Sequence, residues 1–365
     1  MPWERLSTPK ENMKKNLPKI SLPKRKRKQP EVPTERITTD TLAEHRERVL
    51  AGGRRFKYPV QYARHKLVIN AIIISLAALI VLVTLGWALL YPAQNTSDFI
   101  YRVARATSLP VAKVDGQTVL YSDYLMRYRS SIQYLSERDQ INLSTEDGRQ
   151  HAESVKRREL DGAIADAYAV KLAGEMNITV TDDELEQFLI EQRTSSDAEV
   201  SEATYNAVIL DYYGWSPEEY RHAMKAKLLR QKVSYKLDTK ATALVEAITT
   251  LKSGGQTDLS AIAAKLNGDT SDSIQYSAPI WVPKDNHDGG LATAAVALKK
   301  GAISGPVKTS KGAGYYFIKL VDSNAAQVQY ELLYIPLTMF DASLAKVKEN
   351  NGIKEYISIK LPEGQ

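Results

Sequence analysis

The side chains best suited to chemistry are few and scattered. The five histidines, His45, His65, His151, His222 and His287, lie too far apart for any zinc-ligand spacing. There is no cysteine, which excludes thiol redox chemistry, a thiol-linked lipid anchor and disulfide staples. No phosphate loop or dinucleotide glycine pattern occurs. Serines and lysines abound, but no spacing singles out a nucleophile and its base, so a protease is a poor candidate. These residues call for no metal and no cofactor. The aromatic content is tyrosine-rich, with 20 Tyr against 5 Phe. A phenol stacks and hydrogen-bonds, but it does not titrate near neutrality.

The elements that position these residues are divided by one segment. No charged residue occurs between Lys66 and Asp98, and the apolar heart runs from Leu67 to Tyr91, 25 residues. A helix needs about 20 apolar residues to cross ~30 Å of hydrocarbon. Residues 1–66 carry 18 Lys and Arg against 7 Asp and Glu, a net +11, whereas the whole chain carries +6. That asymmetry predicts a single-pass protein of the cell membrane, with the head cytoplasmic and the body outside. Trp87 and Tyr91 stand near the outer end, where amphipathic rings favour the interface. A basic lead of this length is too long for a cleaved signal peptide and reads as an uncleaved signal-anchor.

The head, 1–66, is expected to be a disordered basic tail, with a short helix over Thr39–Leu50. Its run Pro23–Lys28 reads as a topology determinant touching anionic lipid, at about 1 kcal/mol per basic residue near the surface. A nucleic-acid or import-receptor site is the weaker reading of that run, and no nucleic acid is expected as a partner.

Beyond the span, 67–91, an amphipathic stalk is expected over 92–109, with Phe99, Ile100 and Val103 on its apolar face. Val111–Leu120 reads as two strands around an Asp115-Gly116 turn. Ser122 is expected to cap the next helix. A longer helix covers Glu146–Met176, with Leu160, Ile164, Tyr168 and Leu172 on one face. Thr181-Asp-Asp-Glu184 is a capping box, and Ser216-Pro-Glu-Glu219 combines an N-cap serine with proline at the first helical position. Helices are then expected at Ala241–Leu251, Leu259–Leu266 and Gly290–Lys299. Strands are expected at Ser273–Val282, Ile303–Thr309 and Gly314–Val321, and a last short helix at Asp341–Glu349.

The ordered phrases AKVDGQTVLYSDY, ITVTDDELEQFL and YGWSPEEYRHAMKAKLLRQKV resemble the N-terminal chaperone domain of the SurA/PrsA family of exported foldases. The match covers about residues 110–240. Further on, AIAAKLNGDTS, IWV and AVALKKGAISGPVKTSKGAGYYFIKLVD resemble a parvulin prolyl-isomerase domain, the usual companion of the first. Parvulins twist the prolyl bond between two ring-facing histidines beside an acid or a cysteine. The resemblance implies Asp269 as the loop acid. It puts Tyr316 in the last-strand histidine place. Tyr235 takes the first-strand place if KVSYKL is that strand. Tyr330 takes it if Gln327–Pro336 is, in a permuted sheet. Trp281, Leu291, Tyr276 and Phe317 are the implied ring-groove residues; Leu291 replaces the family's phenylalanine, and the family's methionine falls near His287.

The expected fold class is therefore α+β: one transmembrane helix, a mostly helical chaperone domain over 110–240, and a small parvulin-like domain over 241–326. That domain has a four-stranded, mainly antiparallel sheet, and 327–365 is a C-terminal strand and helix that could complete it. The expected function is a membrane-anchored extracytoplasmic chaperone that binds unfolded or newly exported polypeptides, near lipid and the export machinery. With both histidine places taken by tyrosine, isomerisation is expected to be weak or absent. An active parvulin-type isomerase and a non-catalytic envelope assembly scaffold are the alternatives.

Overall fold

The computed structural model describes residues 38–57, 59–194, 200–268, 274–309, 312 and 314–359. The run Pro23–Lys28 and the loop acid Asp269 lie outside them. Packing divides the chain between Leu79 and Ile80. In the first unit, α1 (Thr39–Lys57) runs seven residues beyond the short helix expected there. The long helix α2 (Pro59–Leu90) follows and passes into the second unit. Its stretch His65–Leu90 is long and apolar enough to cross a membrane, and an 18-residue window within it has a mean hydropathy of 2.8 and no residue buried within the chain.

The second unit has a helical lobe and a sheet lobe. The helical lobe starts at the end of α2, where Leu90 is 2% exposed. Tyr121 donates its hydroxyl to Leu90 O at 2.6 Å, and Tyr91 donates its own to Pro110 O at 2.8 Å. Next comes α3 (Asp98–Thr107), where the stalk was expected. It packs on the lobe and buries Ile100, Tyr101 and Ala104, while Phe99 is 69% exposed. The stalk reading placed the apolar face one residue too early; the true face needs cover, and the lobe supplies it.

Strands β1 (Pro110–Val114) and β2 (Gln117–Leu120) form the expected hairpin, and Asp115 and Gly116 both take positive φ, 46° and 85°. Helix α4 (Tyr121–Glu137) begins one residue before Ser122, which is buried inside the first turn and caps nothing. Its first N–H is met instead by Leu109 O at 2.8 Å, because strand and helix join without a loop. Helix α5 (Glu146–Met176) buries Leu160, Ile164, Tyr168 and Leu172. Arg127 of α4 reaches Asp166 of α5 at 2.8 Å.

Helices α6 (Asp182–Arg193) and α8 (Pro217–Leu237) open with complete capping boxes on Thr181 and Ser216. Glu219 accepts the Ser216 N–H at 2.8 Å and also the Tyr101 hydroxyl, which ties α8 to α3. Ser216→Ala is expected to cost about 1 kcal/mol, read from the urea midpoint of the full chain. Between them lies α7 (Glu202–Tyr213), which the sequence reading did not anticipate.

The sheet lobe contains α9 (Thr239–Ser253), α10 (Leu259–Asn267), β3 (Gln275–Pro283), α11 (Leu291–Val296), β4 (Val307–Lys308), β5 (Gly314–Ser323) and β6 (Gln327–Pro336). Its four strands are antiparallel in the order β3-β6-β5-β4. Residues 327–336, not 233–237, therefore supply the strand left open by the sequence, and Val233–Leu237 is the last turn of α8. In QVQYELLYIP successive side chains point to opposite faces of this central strand, and the run ELLYI puts apolar residues on both. Phe317, Leu333 and Ile335 bury one face beneath α9 and α10, while Ile318, Leu320, Val328 and Tyr330 bury the other with α11.

The chain then returns to the helical lobe. Helix α12 (Met339–Glu349) buries Phe340 in that core, and β7 (Ile353–Glu355) pairs antiparallel with β1. The sheet lobe is thus inserted into the helical one.

Candidate functional site

An exposed aromatic surface lies on the helical lobe. Helix α7 is capped by Ser201, whose Oγ accepts Thr204 N–H at 3.2 Å, and ends at Gly214 with φ 65°. That left-handed turn favours glycine, and an added Cβ would stand 2.2 Å from Gln133 Oε1 and push that side chain aside. Gln133 in turn donates to Asp211 O at 3.1 Å. Trp215 follows and donates its indole N–H to Met126 O at 3.2 Å.

These contacts line up a series of rings. Tyr134 stacks on Tyr213 at 6.0 Å, Tyr213 on Trp215 at 5.6 Å, and Trp215 tilts against Tyr220 at 6.4 Å. Arg138 sits over the Tyr212 ring at 3.6 Å and pairs with Asp211. The cleft beside them holds about 760 Å³, bordered by Met126, Leu210 and Trp215 and by the polar Gln133, Arg138 and Asp211. Leu210 is 55% exposed and Tyr134, Tyr212 and Tyr213 are each 37% exposed. Burial pushes the Tyr220 phenol well up. Such a surface offers π faces and apolar contact.

A second cleft, about 830 Å³, lies between the lobes and is bordered by Phe188, Leu228, Tyr235, Lys308 and Tyr315. Tyr235 is a helical residue here. Its hydroxyl donates to Gly314 O at 2.6 Å, and its ring meets Tyr315 edge-on at 5.1 Å. Lys308 Nζ lies 4.5 Å from the Tyr235 ring centre.

The remaining residues singled out in the sequence are parted by the sheet. Tyr316, Tyr330 and Leu291 all lie on the α11 face, in or against one apolar cluster. Tyr316 stacks on Tyr334 at 4.8 Å, and Tyr330 donates its hydroxyl to Asp288 at 2.8 Å. Tyr316 is in register with Tyr334, four residues along β6 from Tyr330, a separation of about 13 Å at strand rise. Burial pushes both phenols up, and for Tyr330 the bond to Asp288 adds to it. Phe317 is fully buried on the opposite face under α9 and α10. Tyr276 and Trp281, on edge strand β3, are 37% and 43% exposed. Tyr276 donates to Glu331 at 2.7 Å, which pushes its phenol up to about 12. Among the described residues no His, Asp or Glu cluster could hold a metal ion.

The sequence reading missed Asp288 and the α7–Trp215 aromatic series. The phrase DYYGWSPEEY did carry the signal, since five of its ten residues are aromatic or glycine and they precede a strong helix start.

A family model described as "SurA-like N-terminal domain" matches residues 61–234. Similar curated proteins are "Chaperone SurA" of Yersinia pestis bv. Antiqua (strain Antiqua) and of Yersinia pseudotuberculosis serotype I (strain IP32953). Each is 34% identical over 86 residues, 24% of this chain and 19% of the relative. The matched segment thus spans about a fifth of those relatives. No solved structure matches the chain. Residues 61–234, a little under half of the chain, are thus similar to a SurA-like N-terminal domain.

Proposed function

We propose that the chain is a membrane-anchored extracytoplasmic chaperone whose SurA-like domain holds unfolded or newly exported polypeptide in its aromatic cleft. The exposed ring series on α4, α7 and Trp215 is the observation that carries this reading. It lies within or beside helices of the SurA-like domain, and its exposed apolar surface is of the kind that marks interaction sites. Stacking and apolar contact suit clients of many sequences, because they ask for bulk and planarity rather than a fixed hydrogen-bond pattern.

Anchoring is supported by α2. Residues from Leu67 to Leu85 are exposed, and such a run rises about 28 Å, close to the hydrocarbon thickness. The basic head favours a cytoplasmic N-terminus, which puts the body outside. The sheet lobe is read as parvulin-like and weakly catalytic or inert. Tyr316 and Tyr330 stand apart with phenols raised by burial, so neither can take the part of a histidine titrating near neutrality.

The test is suppression of aggregation of an unfolded protein by the full chain in nanodiscs, beside turnover of a proline tetrapeptide. The expected result is suppression without isomerisation. Tyr213→Ala with Trp215→Ala should weaken client binding about tenfold or more, the loss of one to two interface anchors. Isomerisation abolished by Asp269→Ala, with no suppression, would decide for the enzyme reading instead.

A further inference from the structure

The chain crosses between the helical lobe and the sheet lobe twice, from α8 into α9 and from β6 into α12. Both crossings meet at one side chain. Asp238 is 1% exposed. Its Oδ1 accepts the Ala241 N–H at 2.8 Å and so caps α9. Its Oδ2 accepts the N–H groups of Thr338 at 2.6 Å and Met339 at 3.0 Å, where α12 begins. One carboxylate thus serves the starts of two helices, one in each lobe, joining positions 100 and 101 residues apart.

A helix cap needs only one acceptor oxygen, and Asn or Ser would provide it. The second oxygen does something a cap does not require. Negative charge favours both helix starts, and a carboxylate can accept all three bonds at once. Elsewhere the lobes face each other across two open clefts, the second bordered by Arg193 and Tyr205 on one side and by His287 and Thr293 on the other. Tyr235 donates to Gly314 O, and Gln231 donates to Thr309 O at 3.1 Å and Gly312 O at 3.3 Å, beside the open cleft bordered by Phe188 and Tyr315. The last turn of α8 packs on the sheet lobe through the Tyr235 ring, edge-on to Tyr315 at 5.1 Å.

We propose that Asp238 is a hinge latch that fixes the angle between the two lobes. With both crossings clamped to one carboxylate, the sheet lobe cannot swing without breaking two buried bonds at the root of α12. Without the clamp, two adjacent single-chain crossings form a hinge. This holds whether or not the protein binds clients.

The absence of cysteine makes the test direct. Ala203→Cys on α7 and Lys299→Cys beyond α11 are exposed positions for a spin-label pair in the full chain. Asp238→Asn keeps one oxygen to cap α9 but turns an N–H donor toward Thr338 and Met339. Pulsed distance measurements should give one narrow distribution with Asp238. Asp238→Asn should give a broadened one with a second, longer-distance population, at unchanged helix content. Asp238→Ser, which caps with a single oxygen, should behave alike and serves if the Asn variant folds poorly. A distribution unchanged in a folded variant of either kind would reduce Asp238 to an ordinary cap and overturn the latch.

Discussion

Full-length protein is expected to stay in the membrane pellet through carbonate extraction, and deletion of residues 67–86 to release the body into the soluble fraction. That window contains thirteen Leu, Ile and Val residues, each favouring insertion by roughly 0.3–0.6 kcal/mol, so the segment gains several kcal/mol in total. Ile73→Arg with Leu79→Arg should cancel this, since each arginine near the middle of a span costs about 2.5–3.5 kcal/mol. Both side chains are more than half exposed, so neither change disturbs packing within the chain. A deletion variant that still pelleted would mean the body binds membrane by another surface.

The second large effect concerns where the body begins. A fragment starting at residue 98 is expected to be much less stable than one starting at residue 86. Leu90 sits in the helical-lobe core, and Tyr91 stands edge-on to Tyr121 at 5.9 Å. Cutting at 98 removes a buried leucine, worth about 2–5 kcal/mol. It also leaves the fully buried Tyr121 hydroxyl without its Leu90 acceptor, at about 1–3 kcal/mol. The sum is a large share of the 5–15 kcal/mol that holds a typical domain together. Urea denaturation of the two fragments reads the difference directly. Equal midpoints would mean that the end of α2 is a passive tether.

Local signals in the sequence located local structure well. The Asp115-Gly116 turn, both capping boxes and the four-residue stripe of α5 each state a backbone geometry within a few residues. Signals failed where the deciding partner was distant. KVSYKL has strand-like residues, but it continues a helix whose other faces are already packed. Helix α7 is apolar nearly all round and shows no 3.6-residue period, because one face packs inward and others line an open cleft. The return of β7 to β1 pairs residues about 240 apart, and nothing in IKE announces it. The candidate site was legible in residue types and misplaced in space. Tyr316, Tyr330 and Leu291 do share a face, but the pleat turns Phe317 to the other side of β5, and α8 carries Tyr235 into the inter-lobe cleft.

Photo-crosslinking from the aromatic cleft addresses the central claim most directly. A photoreactive residue replacing Leu210 should capture an unfolded polypeptide added to the full chain in nanodiscs, and the same residue replacing Lys299 should not. Capture lost on adding excess unfolded competitor would fit a client held against α7 and Trp215. Equal labelling from both positions, or none from Leu210, would contradict it.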